Sequence, residues 1–176
     1  MKAPAVLFVG RRFRVEQVTE LGADGKEHVR EVVRHPGAVV ILPLVEGDRV
    51  CLIRNYRAAV GETLWELPAG TLEPNEDPQT TACRELAEET GYRAGKMELL
   101  TVFYTTPGIL DERMYMFLAQ DLLPGPTALE AGENLQPVLC DWKEVLQLLR
   151  DGNIRDGKTI ATLLYYHVFH RRSTEA

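Results

Sequence analysis

The sequence predicts an α+β domain with strands first and helices last, and three observations carry that reading. Short Val- and Phe-rich runs bounded by turn residues fill the first seventy positions, residues 78–90 form a helix with well-signed ends, and residues 141–171 place apolar side chains at helical spacing. A chain of 176 residues suits one compact domain burying roughly 70% of its unfolded surface. With 45% hydrophobic and 26% charged residues the composition is that of an ordinary globular protein, so disorder is not expected.

Residues 5–10 and 13–20 read as strands, and the turn at 23–26 leads into a third run at 27–33, giving a polar, half-buried strand set with a hairpin. Such a hairpin is marginal alone, so this arm, residues 1–35, must dock on the body or on a second subunit. The chain changes character at His35, Pro36 and Gly37. Residues 37–45 and 49–56 read as buried strands separated by a turn at 46–48, and 63–70 is a short strand ending in Pro and Gly. The helix at 78–90 has Asp77 as N-cap, Pro78 at its first position and Gly91 just past its end. Strands follow at 98–104 and 113–119, then a Pro/Gly-rich loop at 124–137. A helix from the N-cap Asp141, with Glu144 completing a capping box, stops near Gly152. The last helix, 157–171, carries Ile160, Leu163, Leu164, His167 and Val168 at helical spacing.

Charge narrows the function. A net charge of −6 and a pI near 5.3 argue against sequence-independent binding to nucleic acid or to anionic membranes. An anionic substrate would then need positive charge from another source. Cys51, Cys83 and Cys140 are isolated, with no CxxC spacing and no disulfide framework, which leads us to expect a reducing cytoplasm. The opening apolar run is too short for a signal peptide, and no run reaches the length of a membrane span.

The 78–90 helix raises a sharper question. Ala82, Cys83, Leu86 and Ala87 form a modest packing stripe, while Glu85, Glu88 and Glu89 share another face at i, i+3 and i+4. Each like-charge pair costs about 0.2–0.5 kcal/mol, and acids in the last turn oppose the helix dipole. Arg84 is placed to pair with Glu88, but it leaves the helix about 100° from Glu85 and is not expected to neutralise the group. A divalent cation would, since hard cations take carboxylate oxygens. A solvated acidic face is the plain alternative from spacing alone.

The wider stretch decides between them. Gly70, Glu76 and then Arg84-Glu85-Leu86-Ala87-Glu88-Glu89-Thr90-Gly91 resemble the Nudix hydrolase box, Gx5Ex7REUxEExGU, at every fixed position. Tyr92 departs from the aliphatic residue expected at the end. The resemblance implies a Nudix fold over residues 36–176, a mixed β-sheet sandwich between helices, and hydrolysis of a diphosphate linked to some group X. It implies metal ligation by Glu85 and Glu89, assisted by Glu88 and the carbonyl of Ala69, with two or three Mg²⁺ ions that Mn²⁺ or Zn²⁺ could replace. Gly70 then supports the site, and Arg84 and Glu76 form a buried pair orienting loop and helix.

Pro107, within residues 105–113, resembles the loop of ADP-ribose pyrophosphatases, although Pro-Gly would make a plain turn there too. In that subfamily the position of Glu112 carries a general base or water-orienting acid, with Asp111 beside it as a substitute. Residues 54–57 and 65–70 strengthen the likeness. Arg57 is the better candidate to grip a phosphate, its guanidinium presenting a fork of donors, while Arg54 could do the same or lie on the strand surface. Glu73 is read as a metal or substrate contact or a solvated acid, and Glu66 as a contact to base or ribose. Trp65, Phe8 and Phe13 are read as core, and the four histidines as incidental to the metal site. The resemblance implies ADP-ribose as substrate, cleaved to AMP and ribose 5-phosphate, and a homodimer built through the arm. The alternatives are GDP-mannose or another nucleoside-diphosphate sugar, and a sensor that binds ADP-ribose without cleaving it.

Overall fold

In the computed structural model, residues 3–46, 48–129 and 135–171 are described. The arm folds as an antiparallel sheet of β1 (Ala5–Val9), β2 (Arg14–Leu21) and β3 (Glu27–Arg34), in that order. The body is a seven-stranded mixed sheet. Its central strand, β4 (Ala38–Val45), runs parallel to β9 (Arg113–Pro124), from Ala38 opposite Met114 to Pro43 opposite Ala119. β5 (Arg49–Arg57) and β10 (Leu135–Asp141) extend the sheet on one side, and β8 (Tyr92–Tyr104) closes it on the other. β6 (Glu62–Glu66) pairs with β5, and β7 (Ala69–Thr71) with β4.

Both faces of β4 are covered, which explains its unbroken apolar run. Val39 and Ile41 pack with Phe117 and Ala119 under Ala82 and Leu86 of α1 (Pro78–Thr90). Ala38, Val40 and Leu42 pack with Met114 and Met116 under Trp142 and Val145 of α2 (Trp142–Arg150) and Leu163 of α3 (Gly157–Phe169). The result is a sheet sandwiched between helices.

The helix at 78–90 forms with the expected ends. Asp77 accepts from the N–H groups of Gln79 at 3.0 Å and Thr80 at 3.3 Å, and Gly91, at φ 75°, donates to the carbonyl of Ala87. Its stripe is different. Cys83 is exposed, and the helix buries Thr81, Glu85, Glu89 and Thr90 alongside Ala82 and Leu86. The single strand expected at 63–70 is two, because Leu67 and Pro68 leave the β5 edge and the Pro68 carbonyl accepts from Ile41 N–H at 2.9 Å. That switch carries Ala69 and Gly70 across the sheet to α1.

Other differences have equally local causes. β10 lies partly within the expected loop, its Pro137 tolerated because β10 is an edge strand. Residues 130–134 of that loop and Gly47 of the 46–48 turn lie outside the described residues. β8 begins at Tyr92, six residues before the expected 98, and bulges between Leu99 and Thr101. Asp141 has N-cap backbone angles but its side chain makes no capping bond, since the residue also closes β10 opposite Arg49. The capping box is therefore not formed. α3 ends at Phe169 rather than 171.

The arm docks through β3. Val33 bridges Leu110 in parallel, its N–H donating to the Ile109 carbonyl at 2.8 Å and its carbonyl accepting from Asp111 N–H at 3.1 Å. Phe8 and Phe13 pack on each other, centroids 5.9 Å apart, and stay largely exposed, so neither is core. All three cysteines are free thiols. Among the described residues, no helix is long and apolar enough to cross a membrane.

Candidate active site

A cleft of about 1280 Å³ opens where β7, the second half of α1, the 105–112 loop and the start of α3 meet. Glu85 and Glu89 line one wall with Ala69, Gly70 and Glu73; Glu112 and Thr105 line another; Arg57 and Lys158 face in from β5 and α3. Arg11 and Arg12 reach its mouth from the arm.

The acidic wall is tightly built. Glu85 and Glu89 are only 9% and 3% exposed, and Glu89 Oε2 accepts from Ala69 N–H at 3.0 Å. Gly70 is required by the approach of Glu85: a Cβ at position 70 would sit 1.9 Å from Glu85 Oε1. Arg84 reaches further than its angle on the helix suggests. Its Nη1 donates to Glu85 at 2.8 Å and to Glu88 at 3.0 Å, while Nε and Nη2 grip the two oxygens of Glu76 at 3.1 Å each. The long side chain folds its guanidinium back over the acids, so Arg84 meets Glu85 despite its angle on the helix, while one positive charge against three carboxylates does not neutralise the group. Arg84 beside it pulls the Glu76 carboxyl down to about 2, and the same bonds raise Arg84. The two residues pair as expected, but part-buried rather than buried.

In donor chemistry this wall fits a hard divalent cation, since Glu85 and Glu89 offer carboxylate oxygens beside a glycine cradle that any larger residue would fill. Among the described residues, no three His, Cys, Asp or Glu side chains are gathered into a ready ligand set. Glu88 is turned to Arg84 and does not line the cleft. Glu73 sits exposed at the rim, its N–H on Glu76 Oε2 at 3.2 Å.

At the 105–112 loop Glu112 Oε2 accepts from Thr105 Oγ1 at 2.7 Å, and Oε1 lies 3.3 Å from His35 Nδ1. His35 thus touches Glu112 from outside the cleft, without reaching the helix acids. Asp111 cannot stand in for Glu112: its oxygens are held by Arg34 at 3.1 Å and by the N–H of His35 at 2.8 Å, tying the loop to the arm. Pro107 itself does not line the cleft and belongs to a turn in which Thr106 O accepts from Ile109 and Leu110.

Two expected substrate contacts are corrected. Arg54 does not line the cleft; its guanidinium lies 4.7 Å from the ring centroid of Trp65, because alternate residues of β5 face opposite sides. Trp65 is half-buried against the core on that side. Glu66 is fully buried and does not line the cleft. It accepts from Arg57 Nε at 2.8 Å and Nη2 at 2.7 Å, and from Lys158 Nζ at 2.7 Å. Burial alone would raise Glu66, but Arg57 and Lys158 outweigh it and hold it below the ordinary range. Arg57 is raised by its Glu66 bonds, with Glu89 and Asp156 adding to the field. Lys158 is not singled out by the sequence motifs. Its available signal is a cation in the first turn of a helix, where the dipole disfavours it.

A cleft that gathers buried acids and a pair of cations, in a sheet sandwiched by helices, fits a hydrolase that acts on phosphate-bearing substrates. A family model described as the NUDIX domain matches residues 33–163, and the chain belongs to that family, as a Nudix hydrolase. It is 38% identical over 144 residues to an ADP-ribose pyrophosphatase of Bacillus subtilis (strain 168), covering 81% of this chain and 78% of that one. It is 32% identical over 155 residues to a GDP-mannose pyrophosphatase of Escherichia coli O1:K1 / APEC, covering 81% and 80%. Among solved structures, the crystal structure of an ADP compounds hydrolase matches with a TM-score of 0.79 at 26% identity, covering 95% of this chain and 94% of that one. Hydrolases of this family generally depend on divalent metals.

Proposed function

We propose that the protein hydrolyses the diphosphate bond of ADP-ribose, giving AMP and ribose 5-phosphate. The observation that carries this reading is the convergence on one cleft of Arg57, Glu85, Glu89 and Glu112. The cleft is large enough to admit a nucleotide sugar, and the Bacillus relative is named for this activity. Arg57, aimed by Glu66, grips a phosphate with the donors left to its guanidinium. Glu85 and Glu89, with the Ala69 carbonyl, are the residues that would hold Mg²⁺, two or three ions, with Mn²⁺ or Zn²⁺ as substitutes, and Glu88 would assist only by turning away from Arg84. When bound, such ions supply the charge that lets an acidic protein accept an anionic diphosphate, and they activate water. Glu112, fixed by Thr105, orients or deprotonates the attacking water, and Glu73 at the rim meets substrate.

Product analysis with Mg²⁺ across ADP-ribose, GDP-mannose, NADH, diadenosine polyphosphates and nucleoside triphosphates tests the substrate. A preference in kcat/KM for ADP-ribose yielding AMP is expected. Preference for GDP-mannose would transfer the function to that sugar nucleotide, the reading that the E. coli relative supports. For Glu112→Gln, kcat should fall about 10²-fold with little change in KM; an unchanged kcat would remove Glu112 from the chemistry.

The arm, residues 1–35, serves as a dimerisation element on the body formed by residues 36–176. Val6, Leu7, Phe8 and Val9 expose a contiguous apolar run on β1, and covering it by a second copy would remove that surface from water. Deleting residues 1–33 should yield monomer or aggregate in sedimentation. An intact, active monomer would refute the assignment.

A further inference from the structure

We propose that Lys158 is a second cation of the diphosphate-binding wall, set in register with Arg57 by the buried carboxylate of Glu66. This rests on the reading of the cleft as a diphosphate site.

Arg57 closes β5 and Lys158 opens α3, yet both donate to one atom. Arg57 Nη2 and Lys158 Nζ each lie 2.7 Å from Glu66 Oε2. Two cations on one oxygen repel each other, and Glu66 needs only one of them. Arg57 already satisfies it through both oxygens, the strong two-point form of the guanidinium–carboxylate pair. As a counter-ion for Glu66, Lys158 is therefore surplus. Asp156, which Lys158 also meets at 2.8 Å, is engaged elsewhere, because its other oxygen caps α3 through the Thr159 N–H and hydroxyl.

The position is unfavourable by local rules as well. Lys158 stands in the first turn of a thirteen-residue helix, where the dipole disfavours a cation. Local conflicts of this kind concentrate where a site needs them. Here the need is visible: Lys158 is 14% exposed, and that exposure opens into the cleft that holds Glu85 and Glu89. An ammonium has three donors. Two are engaged with Glu66 and Asp156, and among the described residues the third has no protein partner. A diphosphate carries adjacent charged phosphoryl groups, and a pair of cations locked on one oxygen presents neighbouring charges to match. An incoming diphosphate would relieve the repulsion between them.

Steady-state kinetics on ADP-ribose with Mg²⁺, together with calorimetric titration by ADP, test the assignment on the full chain. Lys158→Met should raise KM for ADP-ribose and Kd for ADP roughly 10-fold or more, the loss of a charged hydrogen bond, while kcat is largely retained. Lys158→Arg should recover most of the affinity. A purely structural role would instead lower the melting temperature and leave KM and Kd unchanged in the folded variant, and that result overturns the proposal. Should the methionine variant fail to fold, Lys158→Gln, which still donates to Glu66, carries the same comparison. If the wild type leaves ADP-ribose uncleaved while Lys158→Met still weakens ADP, the substrate reading falls and the role of Lys158 stands.

Discussion

Replacing Glu85 or Glu89 with glutamine is expected to reduce Mg²⁺-dependent turnover by roughly 10²- to 10³-fold while the chain stays folded. Glutamine keeps the shape of glutamate and removes its charge, so the two roles of each residue separate. For Glu89 the structural role is acceptance of the Ala69 N–H bond, which an amide oxygen can still provide. What is lost is an anionic oxygen for a hard cation. For Glu85 the substitution also leaves Arg84 with one fewer anionic partner, though Glu76 and Glu88 remain on that guanidinium. A modest fall in melting temperature is expected there and little for Glu89. Circular dichroism melts alongside a Mg²⁺ titration of kcat check both. Wild-type turnover in both variants would remove the helix acids from the metal site.

Gly70→Ala should cost both activity and stability. The added methyl would meet Glu85 Oε1 at 1.9 Å and its Cδ at 2.0 Å, separations no packed structure sustains. Either Glu85 is displaced from the cleft wall or the β7 turn shifts away from α1. Overpacking of this kind costs about 1–3 kcal/mol, and a displaced Glu85 should lower kcat by about 10²-fold or more. The cause can be isolated with a double variant. If the clash with Glu85 is responsible, Gly70→Ala should cost far less stability in a Glu85→Ala background, a non-additivity readable from thermal melts. Full additivity would place the strain elsewhere in the turn.

The site is unevenly legible from residue spacing. The 78–90 helix can be read to the residue because its signals are local: Asp77 caps it, Pro78 starts it and Gly91 ends it at positive φ. The acids share one face for the same reason, since helical geometry is periodic. The family resemblance marks Gly70 only as support for the site, and that Glu85 presses on its backbone is decided by packing. Arg84 escapes a spacing argument because an angle around the helix axis says little about where a long, flexible side chain puts its guanidinium. Glu66 resembles a substrate contact in sequence, yet its burial depends on β6 lying between β5 and α3. Arg54 differs from expectation for a related reason: alternation places it and Arg57 on opposite sides, and only the packed sheet shows which side opens to the cleft.

Local spacing is enough to specify the helix that carries the acids, the buried strand run at 38–45 and, through the box, the family and its chemistry. These features span a few turns or strands, where backbone geometry leaves little choice. Packing of the folded chain selects which carboxylates are buried, lets Arg84 span Glu76, Glu85 and Glu88, ties the arm to the Glu112 loop, and brings Arg57 and Lys158 together on Glu66. Two of those pairings, His35 with Asp111 and Lys158 with Glu66, join residues 76 and 92 positions apart, and no local propensity encodes a contact whose two halves meet only when the sheet between them folds.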